Sequence, residues 1–204
     1  MILHHENGLH FSFSLFEAYP PIGMLFLRAA AGESTGDFES LNARLLMGDD
    51  DTSVQKNRQR ILPGVWERTN FALPGKVHQT RIMVLSKPPS YLCRLSAGSA
   101  APESADVMIT DIYGKFLAIQ VADCQSVLLY DPQKQVVANI HSGWRGSVEN
   151  IISVTVRAMQ SEFGCQPGHI LAGIAPSLGP CCAEFIHYTR GNSELFMAIQ
   201  MPGQ

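Results

Sequence analysis

Short apolar runs of about strand length recur along the chain, separated by polar or glycine-containing connections. Most are rich in Val, Ile or Phe, which favours strands over short helices. The runs predict strands at residues 24–27, 105–110, 116–122, 126–130 and 136–141. Two other segments, residues 52–62 and 148–163, have the composition or spacing of helices.

The clearest helical pattern lies in residues 148–163, where apolar side chains recur every three or four positions. Ser147 is the predicted N-cap, and Gly164 is the predicted residue just beyond the helix. In the helix at 52–62, Thr52 or Ser53 caps the start and Pro63-Gly64 ends it. Strands interspersed with helices predict an α/β fold, an α+β sandwich in which a mixed β-sheet core is flanked by helices. We expect residues 1–204 to form a single domain.

Composition narrows the function classes. The chain has 204 residues, of which 46% are hydrophobic and only 16% charged, so a fibrous or disordered protein is not expected. A net charge of −3 argues against a dedicated nucleic-acid binder. The N-terminus has no signal-peptide pattern, and the charge-free stretch 163–183 contains Gly and Pro, so no membrane segment is expected. Five cysteines without an export signal indicate reduced thiols in the cytoplasm, or metal ligands.

One strand–loop–helix unit, residues 136–163, has the pattern of an anion site. His141 ends the strand, Gly143 and Gly146 permit close approach of the backbone to a ligand, and a helix N-terminus follows. Arg145 could add a bidentate contact to phosphate. The alternative is that the glycines only make a turn and that Trp144 fills the core.

A second set of residues has zinc chemistry. His78 follows an apolar residue, Cys124 lies with Asp123 at a polar break between two apolar runs, and His141 ends a strand. One Cys and two His suit zinc, and three protein ligands leave the fourth position open, as catalytic sites do. Their spacing matches no local zinc motif, so each could instead be an ordinary core residue. Adjacent Cys181 and Cys182 are interpreted as packing residues.

A serine-nucleophile motif also occurs. Residues 32–36 fit G-x-S-x-G, and the order Ser34, Asp123, His141 fits that of an α/β-hydrolase triad. A nucleophile elbow needs a long helix directly after it, and residues 37–42 do not form a convincing one. We therefore treat Ser34 as a minor alternative.

Taken together, three segments resemble the YfiH/YlmD-type proteins: residues 105–110, Ala-Asp-Cys within 121–129, and His-Ser-Gly-Trp-Arg-Gly at 141–146. That family is also called the laccase-domain or multicopper polyphenol oxidase family, and its members are described as purine nucleoside phosphorylases. Residues 174–184 and Asn57-Arg58 match further family segments. The resemblance runs from about residue 26 to about residue 185.

The resemblance implies a single zinc ion held by His78, Cys124 and His141. It also implies phosphorolysis of adenosine, inosine, guanosine and methylthioadenosine, together with adenosine deamination. The arginine that matches Arg58 is expected to face the active site. Arg58, Arg145 and the N-terminus of the helix at 148–163 could hold phosphate. Asp123 is the candidate acid/base group for deamination.

The sequence departs from the family pattern in three places. The family's Arg-x-Gly-Gly-x-Ser segment is altered at residues 28–34, Gln79 replaces a frequent Gly, and the family's C-terminal portion is expected to be lacking. Two alternatives follow: a hydrolase or peptidoglycan-precursor editing enzyme with Cys124 as nucleophile, and a shortened isoform that binds zinc without catalysis. A multicopper oxidase is disfavoured because it would need many more His ligands. The sequence indicates neither an oligomeric state nor a preferred nucleoside.

Overall fold

The computed structural model describes residues 3–6, 10–19, 26–27, 32–39, 41–43, 48–61, 71–72, 80–85 and 104–179. The chain divides into two compact units, residues 1–71 and 72–204. Among the helices of the described ranges, none combines the length and apolar character that crossing a membrane requires.

The first unit contains a small antiparallel sheet of three strands, β1 (Leu3–Glu6), β2 (His10–Phe13) and β3 (Phe26–Leu27). Strand β3 confirms the last two residues of the strand predicted at 24–27, and residues 24 and 25 lie outside the described residues. Helix α1 (Ser14–Glu17) follows β2 directly. Phe13 and Phe16 are buried, and their rings meet edge to face with centroids 5.9 Å apart.

Helix α2 (Asp51–Ile61) confirms the helix predicted at 52–62. Its cap differs from the prediction, since the Asp50 Oδ2 atom accepts a hydrogen bond of 2.8 Å from the backbone N–H of Ser53. Hydrogen bonds from Ser53 also lower the pKa of the Asp50 carboxyl. A carboxylate suits this end of a helix because the first N–H groups are unpaired and the dipole is positive there. Pro63-Gly64, the predicted stop, lies outside the described residues.

The second unit is built on a five-stranded mixed sheet with the strand order β10-β8-β9-β6-β5. Strands β5 and β6 run parallel, while β6, β9, β8 and β10 pair antiparallel. Their bounds are β5 (Ile82–Leu85), β6 (Val107–Thr110), β8 (Gln125–Asp131), β9 (Val136–Ser142) and β10 (Leu171–Ile174). Three of these strands confirm predicted ones, and with its flanking helices this sheet confirms the predicted fold class. That residues 1–204 form one domain stays a prediction.

The described residues also contain two shorter strands, β4 (Phe71–Ala72) and β7 (Phe116–Leu117). The strand predicted at 116–122 was therefore too long. Residues 118–121 are half-buried without strand structure, and Ile119 packs against the buried cluster around Met83 and Met108. An apolar run can therefore reach a core by packing alone, without pairing to a neighbouring strand.

The helix predicted at 148–163 is α4 (Ile151–Phe163), which begins three residues later than predicted, and a separate short helix, α3 (Trp144–Val148), precedes it. The break lies at Asn150, which adopts a left-handed conformation with φ of 56°. Its side chain, and not that of Ser147, caps α4 by accepting a hydrogen bond from the backbone N–H of Ser153. Gly164 ends α4 in the left-handed conformation, as predicted.

Helix α4 covers one face of the sheet. Ile151 and Met159 of the helix are fully buried against alternate residues of the central strands. Those strand residues are Val107, Ile109, Val127, Leu129, Val136, Ala138 and Ile140. Because successive side chains of a strand point to opposite faces, the residues between them, among them Ser126, Asn139 and His141, lie on the other face.

Candidate active site

His141 and Asp106 form a buried pair across two strands. The His141 Nδ1 atom lies 2.9 Å from the Asp106 Oδ1 atom, and the two side chains are only 1% and 0% exposed. Antiparallel β6 and β9 bring these residues opposite each other, since Val107 pairs with Ile140 at the next position. The other ring nitrogen, Nε2, is also shielded from solvent.

Backbone hydrogen bonds also hold His141 and Asp106 in place. The backbone N–H of His141 donates to the Asp106 carbonyl at 2.7 Å, and the N–H of Asp106 donates to the Arg81 carbonyl at 3.0 Å. Neither residue can shift along its strand without breaking ladder hydrogen bonds. The imidazole is therefore presented from a fixed position in the sheet.

Cys124 and Asp123 lie at the same edge of the sheet. They directly precede β8, in which Gln125 pairs with Ser142 and Ser126 pairs with His141. Cys124 is half-buried and Asp123 is exposed. The segment after β10 closes over this edge, because the N–H of Leu178 donates to the Asp123 carbonyl at 3.2 Å. The structure thus brings together three predicted site residues, Asp123, Cys124 and His141.

Arg145 and Trp144 follow on short helix α3, next to His141 in the chain. The Arg145 guanidinium carbon lies 5.0 Å from the centroid of the Trp144 ring, a cation–π arrangement. Arg145 is exposed and Trp144 half-buried, so Trp144 is not simply a core residue. The Ser147 hydroxyl donates to the Gly143 carbonyl at 3.0 Å and lies 2.9 Å from the Ser142 hydroxyl, which fixes the turn into α3.

The helix N-terminus that was predicted to follow His141 lies elsewhere in the structure. The predicted anion site relied on the start of a helix at 148, whereas α4 begins at Ile151 and its first turn is capped by Asn150. The five-residue helix α3 lies between His141 and α4. Among the described residues close to His141 in the chain, Arg145 is therefore the one whose side chain suits an anion.

Arg58 lies on α2 in the first unit. Its Nε–H donates to the Ala43 carbonyl at 2.9 Å, and partial burial lowers the pKa of the guanidinium. The preceding residue, Asn57, is fully buried and bonds to three different groups, the Glu33 N–H, the Ser34 hydroxyl and the Asn42 carbonyl. These bonds fix the helix face next to Arg58 and therefore its orientation within this unit.

Ser34 belongs to the same polar network and has a structural role there. Its hydroxyl donates to the Asp49 Oδ2 atom at 2.7 Å and accepts from the Asn57 Nδ2 atom at 2.9 Å. The hydrogen bond from Ser34, followed by that from Asn42, lowers the pKa of the Asp49 carboxyl. In the described residues 35–39, Ser34 is followed by a 3₁₀ turn (Gly36–Phe38) and not by a long helix. A nucleophile elbow requires a long helix at that point, so the geometry disfavours Ser34 as a nucleophile.

The residues present fit a zinc ion as far as the structure describes them. The half-buried thiol of Cys124 lies at the same sheet edge as His141. Because Asp106 is hydrogen-bonded to the Nδ1 atom of His141, the Nε2 atom would be the one that binds a metal ion. His78, the third expected ligand, and Gln79, Cys181 and Cys182 lie outside the described residues. Within the described ranges, no group of three His, Cys, Asp or Glu residues is placed to hold a metal ion.

Asp106 is the residue that sequence reasoning missed. It stands in the 105–110 segment already marked as a strand, directly after a buried Ala105. A charged residue at the start of an otherwise apolar strand is a local inconsistency of the kind that often indicates function. That signal was available, but its partner could not be known without the strand register.

Comparison with known proteins places the chain in a family. The model of the family described as multi-copper polyphenol oxidoreductase laccase matches residues 23–198. The chain belongs to this family. Membership in the laccase family confirms the resemblance to the YfiH/YlmD-type proteins, whose members include the relatives below.

Two curated relatives and one solved structure illustrate the similarity. A purine nucleoside phosphorylase from Bacteroides thetaiotaomicron is 29% identical over 191 residues, which cover 91% of this chain and 67% of the relative. The purine nucleoside phosphorylase YlmD of Geobacillus stearothermophilus is 33% identical over 152 residues, covering 74% and 55% respectively. The crystal structure of Bacillus licheniformis YfiH superposes with a TM-score of 0.78 at 26% identity, covering 99% of this chain and 73% of that one. The chain thus spans between 55% and 67% of the length of the two curated relatives.

Proposed function

We propose that the chain acts in the cytoplasm as a zinc-dependent purine nucleoside phosphorylase. Its substrates are inorganic phosphate and adenosine, inosine, guanosine or methylthioadenosine, and it has adenosine deaminase activity as well. One observation carries the proposal: Cys124 and the buried His141–Asp106 pair share one sheet edge in a chain whose relatives are named purine nucleoside phosphorylases.

In this proposal His78, Cys124 and His141 would hold the zinc ion, since one Cys and two His are ligands that catalytic zinc sites use. When bound, the zinc would supply a Lewis acid. The chain's own contribution is to fix the ligand atoms. The sheet register sets the position of His141, and the start of β8 sets that of Cys124.

Phosphorolysis breaks the bond between the purine and C1′ of the ribose and forms a bond from C1′ to a phosphate oxygen. The phosphate must be held beside C1′ while the base departs. We assign this task to Arg145, since a guanidinium group binds phosphate through two parallel hydrogen bonds. The Arg145 side chain is exposed and stacked on Trp144, which holds the charge close to His141 in the chain.

Deamination replaces the exocyclic amino group of adenine by an oxygen from water and releases ammonia. The departing group needs a proton, so an acid/base group is required near the metal. We assign this role to Asp123, whose side chain is exposed at the sheet edge directly before Cys124.

The test is release of free base from adenosine and from inosine by zinc-loaded protein, with and without phosphate. The variant is Cys124→Ala, and the matched control is Cys165→Ala, which removes a buried thiol from the helix-covered side of the sheet. We expect phosphate-dependent release by the wild type and the control, and none by Cys124→Ala. Absence of turnover at one zinc per chain would contradict the proposal and favour the non-catalytic zinc-binding alternative. Equal turnover by both variants would remove Cys124 from the site.

A second candidate function is suggested by the positions of Cys124 and His141. A cysteine at the same sheet edge as a histidine that a carboxylate orients could act as a thiol nucleophile with its base, which suits a hydrolase or a peptidoglycan-precursor editing enzyme. The two proposals differ in their need for metal. A thiol hydrolase keeps its activity after zinc removal and loses it on alkylation of Cys124 by iodoacetamide, whereas the phosphorylase loses its activity as soon as zinc is removed.

A further inference from the structure

We propose that Asp106 is a positioning residue that fixes the tautomer and ring orientation of His141. The inference rests on the proposed function, because His141 is a zinc ligand only in that proposal. Asp106 itself does not touch substrate or metal. It acts through the imidazole, which then presents Nε2 to the metal.

The hydrogen bond determines which ring nitrogen carries the proton. A carboxylate oxygen only accepts hydrogen bonds, so the 2.9 Å contact between Asp106 Oδ1 and His141 Nδ1 requires the proton on Nδ1. In a neutral imidazole the lone pair then lies on Nε2, the atom that a metal ion needs. The opposite tautomer would set the lone pair of Nδ1 against the carboxylate.

Burial makes this preference strong. The two side chains are 1% and 0% exposed, so water cannot replace the carboxylate as acceptor. A buried polar group that loses its hydrogen-bond partner is destabilised, because water does not replace that partner. A ring flip that took Nδ1 away from Asp106 would incur that loss, and the ring is therefore held in one orientation.

The backbone geometry allows the side chain of Asp106 to be tested separately. Its carbonyl and its N–H bond to His141 and Arg81 through the main chain alone, so replacing the carboxylate leaves both bonds in place. A substitution here changes the partner of the ring and not the position of the strand. Asp131 is the matched control, since it is another fully buried carboxylate of the same sheet, at the opposite end of β8 from Cys124.

The first measurement is made on zinc-free protein. Long-range ¹H–¹⁵N NMR of the His141 ring at about pH 8, where an imidazole is ordinarily neutral, reports which nitrogen is protonated. We expect the Nδ1–H form in the wild type and in Asp131→Asn. In Asp106→Ala, we expect the Nε2–H form to appear. A His141 ring that stays in the Nδ1–H form in Asp106→Ala would overturn the proposal.

The second measurement is zinc affinity by competition with a chromophoric chelator. Loss of a carboxylate behind a metal-binding histidine weakens metal binding by about 10- to 100-fold, and we expect this range for Asp106→Ala. Asp106→Asn keeps a carbonyl acceptor, so it should bind zinc more tightly than Asp106→Ala and folds even if the alanine variant does not. Asp131→Asn should bind zinc as the wild type does. Equal zinc affinity in wild type, Asp106→Asn and Asp106→Ala would contradict the positioning role.

These outcomes separate the inference from the proposed function. A tautomer change in zinc-free Asp106→Ala supports the positioning role even where wild-type protein releases no base from nucleosides. Base release that is independent of Asp106, with an unchanged tautomer, would leave the phosphorylase in place and remove Asp106 from its site.

Discussion

The two faces of the five-stranded sheet differ in chemistry although they share the same strands. In β9, Val136, Ala138 and Ile140 enter the apolar cluster beneath α4, whereas Asn139 and His141 point the other way. The helix-covered face is built from interchangeable apolar side chains, and its contribution is stability. The opposite face combines a second apolar cluster around Met83 and Met108 with polar groups at fixed positions. In β9, the even-numbered residues thus contribute to stability, and the odd-numbered residues lie on the face of the candidate site.

Polar groups on the second face have specific partners. The Asn139 Nδ2 atom donates to the Leu117 carbonyl at 3.1 Å, and the Thr110 hydroxyl donates to the Leu85 carbonyl at 2.8 Å. His141 has Asp106. Each such bond requires one residue type at one position. This face should therefore be intolerant of changes that the helix-covered face would accept.

The largest expected effect separates two adjacent residues of β9. His141→Ala should lower kcat/KM of phosphorolysis by at least about 100-fold, because it removes a proposed zinc ligand and the hydrogen bond between the imidazole and Asp106. Ile140→Val, on the helix-covered face, should cost about 0.5–1.5 kcal/mol of stability and leave turnover per folded molecule unchanged. Steady-state kinetics and urea unfolding measure both. Equal loss of activity in the two variants would abolish the distinction between the faces.

The next effect concerns the centre of the helix-covered face. Met159 of α4 is fully buried, so Met159→Ala should lower the free energy of unfolding by about 2–5 kcal/mol through lost burial and the cavity left behind. Zinc content per folded molecule should not change. A variant that unfolds as the wild type does, or that loses zinc while folded, would show that the two faces are not independent.

A smaller effect is expected where α4 begins. Asn150 is left-handed and caps the helix with its side chain, so Asn150→Ala removes the cap and strains the backbone, at a cost of about 2 kcal/mol. Asn150→Gly relieves the strain and should cost only about a few tenths of a kcal/mol. Thermal unfolding of both variants gives the comparison. If Asn150→Ala unfolds at the same temperature as Asn150→Gly, residue 150 does not adopt a left-handed conformation between α3 and α4.

The smallest expected effect is on the chemistry of Cys165. This thiol lies in the apolar cluster, where burial, and then hydrogen bonding to Asp131, raises its pKa to about 12. The protonated form is therefore the stable one, and its contribution to stability is present below about pH 9 and lost as the pH rises toward 12. At pH 8 the thiol is therefore protonated. In zinc-free folded protein, iodoacetamide should alkylate Cys124 and leave Cys165 unmodified, as peptide mass spectrometry would detect. Alkylation of Cys165 at the rate of Cys124 would contradict its placement.

Local patterns predicted most of the sheet and the body of α4, because hydrophobic periodicity reports which face of an element is buried. They failed where a single residue changes the backbone, as at Asn150, which stands inside an otherwise continuous helical pattern. They also failed for the strand at 116–122, which ends at Leu117, while residues 118–121 are half-buried without strand structure.

The residues of the candidate site were predictable from the sequence, but the strand pairing that brings them together was not. The types and positions of Asp123, Cys124 and His141 marked them as candidates, and the register of β8 and β9 brings them to one edge. The partner of His141 lies 35 positions away in the chain, on a strand whose pairing with β9 no local pattern specifies. Long-range register is set by the fold as a whole, and for that reason Asp106 emerged only from the structure.

The most direct test of the account is zinc K-edge X-ray absorption of the loaded protein, with Cys124→Ala and His141→Ala alongside. We predict one sulfur at about 2.3 Å and nitrogen ligands at about 2.0–2.1 Å from zinc in the wild type. The sulfur should disappear in Cys124→Ala, and the imidazole contribution should fall in His141→Ala. A sulfur that persists in Cys124→Ala would contradict the claim that these two residues form one metal centre.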